Sequence, residues 1–306
     1  MLKKSVSKLN AYVWKHEYSG RITVTVIGFF LILVTLTIVM FIAVKGLSTF
    51  TTDHASVSQF LFSTDWDPER AAANGGPGIG ALIFIVGSIT LSLLALLIST
   101  PFSMSAAIYM SEISPRLGRK LLQPAVEIFV GIPSVVYGWI GLSVLVPLIR
   151  KLFGGLGFSL LSGGIVLAVM IFPTITSISV DALRSLPEEF KEASYALGAT
   201  RWQTIRKVLL PAAMPGMLTG IVLGLARAFG EALAVQMVIG NTLRIAGSPL
   251  DSMVNLTSII TMDMGNTAMG TLWNDALWSM ALLLLILSFI FIMLVRVIGS
   301  RGRQQR

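Results

Sequence analysis

Two charged residues, Arg227 and Glu231, stand inside a run, Met217 to Ile239, that is apolar and long enough to cross a bilayer. A charge at the bilayer centre costs at least about 2.5 to 3.5 kcal/mol on insertion scales, so a chain rarely carries one there without a use for it. Arginine stays protonated and offers a planar fork of donors suited to phosphate or carboxylate oxygens. The spacing of four predicts that both side chains share one helix face, with Glu231 holding the fork in place when no anion is bound. The competing reading is a mutually neutralised pair with a purely structural role. Gly216, Gly220 and Gly224 continue that face and suit a close helix approach, here expected at a subunit interface. Glu127, in another apolar segment, either joins the same path or pairs with a cation near the inner interface. No nucleophile with its base, metal-ligand cluster or HExxH motif accompanies these groups, so the chemistry on offer is passage of an anion rather than a reaction.

The segment that leads into this run, about 181–216, is polar but built of good helix formers. Pro187 suits a first helical turn, Glu188, Glu189 and Glu192 follow it, and Arg201, Arg206 and Lys207 gather toward the far end, as the helix dipole favours. Gly198 interrupts it where a positive φ would turn the chain. A helix, a glycine turn and a second helix are expected. The series Glu192-Ala193-Ser194, Gly198 and Val208-Leu209-Leu210-Pro211 closely resembles the EAA loop of ABC-importer permeases, with Ser for the third small residue and Val for Ile. The resemblance implies that Glu192, Ala193, Ser194, Gly198, Leu210 and Pro211 dock the chain onto an ATPase. An ordinary amphipathic loop need not keep these separations.

The chain has 306 residues, 54% of them hydrophobic and only 12% charged, with mean hydropathy +0.81. Soluble domains carry about 25% charged residues, so this is a polytopic membrane protein. Its net charge of +8 lies in short segments flanking apolar runs, which argues for membrane orientation and against nucleic acid. The absence of cysteine excludes disulfides and thiolate chemistry, and His16 and His54 are isolated, so neither a metal nor a cofactor is expected.

Six spans are expected, near 22–44, 79–99, 122–148, 159–180, 217–239 and 276–295. Residues 1–21 form a basic cytoplasmic segment, and 22–306 the membrane domain. The first apolar run is too long for a signal-peptide core. Lysines and arginines crowd the amino terminus, the 116–120 cluster, the 181–216 loop and the carboxyl tail; outside lie Lys45, Arg70, Arg150, Lys151 and Arg244. This asymmetry predicts both termini inside. Residues 45–77 and 241–274 are placed outside, with Trp66 an interfacial anchor. The glycines from Gly76 to Gly80 are read as a turn, since no strand precedes them in the way a dinucleotide loop requires. Pro124, Gly131, Pro133, Gly138 and Gly141 predict a third span turned toward the protein interior. Phe102 to Met110 fits either a continuing helix or an interfacial segment.

Nearly the whole chain is similar to the C-type permease of phosphate importers, through TDWDP at 64–68, AAIYMSE at 106–112, EIFVGIPSVVYG at 127–138 and ARAFGEALAVQMVIGN at 226–241. The resemblance implies an all-α, six-helix type I (MetI-like) permease fold in the bacterial inner membrane. It further implies a second, A-type permease subunit, two copies of an ATPase, an external phosphate-binding protein, and a role for Arg227 and Glu231 in moving phosphate. No Walker A sequence is present, so ATP hydrolysis is expected from a separate subunit. An ion-coupled secondary transporter with Glu231 as ion carrier would also explain the buried charges. It leaves the docking loop unexplained.

Overall fold

A computed structural model describes the backbone of residues 2–71, 73 and 75–304 and the side chains of 18–71, 73 and 75–297. The basic side chains expected inside at Lys3, Lys4, Lys8, Lys15, Arg301, Arg303 and Arg306, and His16, lie outside the described residues. The structure is helical, with six helices long and apolar enough to cross a membrane: Tyr18–Thr51, Leu82–Ile113, Ser134–Phe153, Leu160–Arg184, Arg201–Gly230 and Leu272–Val297.

Helix α1 (Leu2–Thr51) overruns the expected span at both ends. Its flank bearing Phe29, Phe30 and Leu31 is exposed, as a lipid-facing surface requires. Near its end Gly46 admits the closing helix of the chain, whose Ser279 hydroxyl donates to the Gly46 carbonyl at 2.6 Å. After α2 (Val57–Phe62), strands β1 (Trp66–Asp67) and β2 (Gly78–Ile79) pair antiparallel. Gly75 and Gly76, both with positive φ, lie in the connection, but the turn expected over Gly76 to Gly80 holds only at its start: Gly78 falls in β2, and the short strand β1 does precede it. Trp66 is not an interfacial anchor: it is 9% exposed and packs edge-on to Phe84 at 5.4 Å. The ribbon lays the indole on the end of the second span instead of presenting it to headgroups.

Helix α3 (Leu82–Ile108) passes through Pro101 and continues into a wider, π-helical turn at Tyr109–Ile113. The stretch from Phe102 to Met110 therefore extends the helix. A short α4 (Pro115–Leu117) leads to α5 (Gln123–Gly131), which stops where Ile132 turns extended before Pro133. The residue before a proline is driven out of the helical region, and the chain restarts as α6 (Ser134–Ile140) and, past another wide turn, α7 (Val146–Phe153). The expected third span, 122–148, is thus two pieces, and only 134–153 has membrane-crossing length.

Helix α8 (Leu160–Arg184), carrying Pro173 inside it, is the centre of the bundle, with Leu167, Ile171 and Ile175 fully buried against α3 and the fifth span. The loop helices α9 (Glu189–Ala196) and α10 (Arg201–Thr204) follow. From α10 the chain runs through a wide turn directly into α11 (Leu210–Gly230). The fifth span then breaks, and α12 (Leu233–Ile239) resumes it.

Part of the segment expected outside, 241–274, packs against the bundle, around residues 253–259. Met253, Val254 and Leu256 are at most 1% exposed, and the Leu256 amide donates to the Ser88 hydroxyl at 2.9 Å. The close approach of the Val254 carbonyl to Gly87 is possible because that residue has no side chain. Helix α13 (Leu256–Asp263) starts there with Asn255 as its cap, and α14 (Leu272–Gln304) closes the chain.

Candidate functional site: a helical loop and a half-buried arginine

The loop folds as its residues predict. Gly198 has φ +77°, where any Cβ would be strained. Thr200 caps α10, its hydroxyl accepting from the Gln203 amide while the Gln203 side chain accepts from the Thr200 amide at 2.8 Å. Ser194 is buried, and its hydroxyl lies 2.9 Å from that of Thr204, closing α9 on the second helix. Glu192, Ala193 and Gly198 stay exposed. Leu210 is half-buried against the inner core, and Pro211 occupies the first turn of α11. Lys191 pairs with the buried Glu112 at 3.1 Å, and Arg201 donates to the carbonyls of Glu112 and Ile113, so the loop is moored to the end of the second span.

Sequence reasoning missed what the loop displays. Leu197 is 89% exposed, and Trp202, Tyr195 and Phe190 stand open beside an open groove of about 830 Å³ lined in part by Ala193, Leu197, Gly198 and Gln203. Exposed aromatics rimmed by charges mark a protein-docking face. The signal was available as large apolar residues on an otherwise polar helix pair.

At the second site the structure corrects the expected geometry. Helix α11 ends at Gly230, and Glu231 is extended (φ −79°, ψ 124°), so Arg227 and Glu231 do not share a helix face. The Glu231 carboxylate accepts from the Ala234 amide at 3.2 Å, and its carbonyl accepts from the Thr257 hydroxyl at 2.7 Å. Arg227 instead donates from Nη1 to Thr174 Oγ1 at 3.1 Å. Ion pairs among the described residues join Arg70, Lys191 and Arg244 to carboxylates, and Arg227 takes part in none. The neutralised-pair reading fails on this geometry. Here a half-buried guanidinium, held by one neutral hydroxyl, is left with charge and donors to spare.

The glycine face is also reassigned. A Cβ on Gly216 would lie 2.6 Å from Ala182 Cβ, one on Gly224 2.7 Å from Ile175 Cγ1, and one on Gly220 3.2 Å from Ile178 Cβ. The stripe seats α11 on α8 within this chain, not on a second subunit. Glu127 is exposed on α5; Gln123 donates to it at 3.2 Å and accepts from Arg184 at 2.7 Å. An amide thus relays Glu127 to a cation at the carboxyl-terminal end of α8.

Residues 99–304 match the family described as the binding-protein-dependent transport system inner membrane component. The chain is 54% identical over 288 residues to a probable ABC transporter permease protein, YqgH, of Bacillus subtilis (strain 168), covering 94% of this chain and 92% of that one. It is 35% identical over 262 residues to the phosphate transport system permease protein PstC of Xylella fastidiosa (strain 9a5c), covering 79% and 78%. Its fold resembles a bacterial ABC transporter involved in importing the acidic polysaccharide alginate, with TM-score 0.59 at 16% identity over 96% of this chain and 99% of that one.

Proposed function

Since the chain belongs to the family of binding-protein-dependent transport system inner membrane components, the permease subunits of ABC importers, we propose that its cargo is inorganic phosphate. A multi-pass inner-membrane permease of this family is not an enzyme, and ATP is hydrolysed by separate subunits. The observation that carries the cargo assignment is Arg227, a permanent cation inside the fifth span whose one side-chain hydrogen bond among the described residues is to the neutral Thr174. A guanidinium so placed repels cations and rewards an oxyanion with charge-assisted hydrogen bonds. The relative named as a phosphate transport permease supports phosphate within that class. On this reading a second, A-type permease completes the path, two ATPases dock on the α9–α10 loop, an external phosphate-binding protein delivers cargo, and both termini are cytoplasmic. The membrane domain is 22–306. An ion-coupled carrier has no use for the docking loop.

The test is uptake by the four-protein assembly in lipid vesicles. Labelled phosphate should enter only when ATP is supplied on the ATPase side, and unlabelled sulfate should compete poorly. ATP-driven entry of a different solute, with phosphate excluded, would overturn the assignment.

A further inference from the structure

We propose that Thr174 completes the anion site: its hydroxyl oxygen orients Arg227, and its hydroxyl proton serves as a second donor to the passing anion. The inference rests on the anion-permease reading above. Thr174 and Arg227 lie on different helices, α8 and α11, which meet closely because Gly216, Gly220 and Gly224 put backbone where side chains would otherwise hold them apart. The hydrogen bond from Arg227 Nη1 to Thr174 Oγ1, at 3.1 Å, therefore spans an interface the glycine stripe creates.

Thr174 also differs from most helical threonines in this chain, and from its neighbour Thr176 in having the arginine as partner. Thr90, Thr204, Thr219 and Thr261 each donate to the carbonyl four residues back, at 2.7, 3.1, 3.1 and 2.9 Å. That is the usual fate of a threonine hydroxyl in a helix. Among the described residues Thr174 makes no such bond; its oxygen accepts from Arg227, so its proton remains free. A hydroxyl is at once donor and acceptor. Held by the arginine at its oxygen and half-buried, it can present that proton to the same oxyanion the guanidinium attracts. A lone arginine would have several rotamers to lose on binding an anion; one pinned by Thr174 has fewer.

Thr174→Val keeps the branched shape and removes only the hydroxyl, Thr174→Ser keeps the hydroxyl, and Thr176→Val is the control. Thr176 is fully buried two residues away, with a hydroxyl that has no partner among the described residues, so its replacement should be neutral or better. The readout is equilibrium binding of labelled phosphate to the assembled permease–ATPase complex without binding protein, followed by phosphate moved per ATP in vesicles. Thr174→Val should bind about tenfold more weakly, the scale of one lost hydrogen bond to a charge, and move correspondingly less phosphate per ATP. Thr174→Ser should stay within about twofold of the parent, and Thr176→Val unchanged. Unaltered binding in Thr174→Val, or a Thr174→Ser as weak as Thr174→Val, overturns the proposal. If the parent complex binds sulfate or a carboxylate and not phosphate, the cargo assignment falls alone, and the Thr174 series is decided on that anion. A parent that binds no anion removes both.

Discussion

Arg227 and Glu231 have separate partners, and that separation decides how their variants combine. On the proposed reading, Arg227→Gln removes the fixed positive charge that attracts the anion. Two charge-assisted hydrogen bonds at about 1.5 kcal/mol each amount to about a hundredfold, so ATP-driven uptake should fall by that order. Assembly should not suffer, because the insertion cost of arginine, about 2.5 to 3.5 kcal/mol, goes with it. Glu231→Gln retains an oxygen for the Ala234 amide and should keep the complex's thermal stability, whereas Glu231→Ala should lose about 0.5 to 2 kcal/mol as a missing helix cap does. The double variant Arg227→Gln with Glu231→Gln should show additive effects on stability and uptake; recovery of either over the single variants would mean the two are coupled after all. The sequence disclosed both charges and their depth. It did not disclose the break between them, because only Gly230 marks it locally and the extended Glu231 backbone is secured from α13, by Thr257, 26 residues on.

Elements meet where side chains are absent, and the α8–α11 contact is the clearest instance. At Gly224 a Cβ would sit 2.7 Å from Ile175 Cγ1, part of a fully buried side chain. Gly224→Ala should therefore cost about 1 to 3 kcal/mol in thermal unfolding of the purified complex, the scale of overpacking. Gly28→Ala, inside α1 with nothing within 4 Å of the added Cβ, should cost no stability and can gain up to about 1 kcal/mol of helix propensity. The broken third span was legible through Pro133 and its glycines, yet its placement as one continuous segment was not correct. The burial of Trp66 was illegible, since the β1–β2 ribbon that turns it inward depends on pairing across a long connection. That ribbon also carries a pH response. Arg70 donates to Asp65 at 2.6 Å through both nitrogens and holds its carboxyl below the ordinary value of 3.8, chiefly by those hydrogen bonds. A folded value below the unfolded one contributes stability above about pH 3.8 and loses it as pH falls through the folded value. Burial raises the Asp263 carboxyl, so its cost appears as pH climbs from 3.8 through the folded value. Protection of the Gly80 amide, bonded to the Asp65 carbonyl at 2.8 Å, should fall below about pH 4, its exchange moving toward the intrinsic rate. Asp65→Asn should abolish that step, and a parent without it would show the Arg70 contact to be energetically idle.

Across the whole molecule the loop and the arginine are joined by one helix. The run from Arg201 to Gly230 is continuous, and at 1.5 Å per residue it sets Arg201 about 39 Å from Arg227 along the axis. On the proposed reading a push on the loop reaches Arg227 along this run, past its wide turn at Ile205–Leu209 and Pro215, while Lys191 and Arg201 tie the loop to the end of the second span as well. The shape of the loop was readable from its spacing because a turn at Gly198, a small contact at Ser194 and a proline at Pro211 each demand a particular residue type. The apolar face it displays was not, since exposure follows from how α9 closes on α10 through Ser194 and Thr204. Two variants isolate this route. Proline fixes φ near −65°, so Gly198→Pro forces the turn out of its +77° conformation and misaligns α9 against α10. Glu192→Lys leaves the backbone alone and inverts one exposed charge in the first turn of α9, against the helix dipole and against any basic partner. Neither touches a span, so both proteins should reach the membrane in parental amounts. Copurification of the ATPase should fall in each, more in Gly198→Pro, and ATP-driven uptake should fall with it. Parental uptake in Gly198→Pro would show that force reaches Arg227 by some route other than this loop.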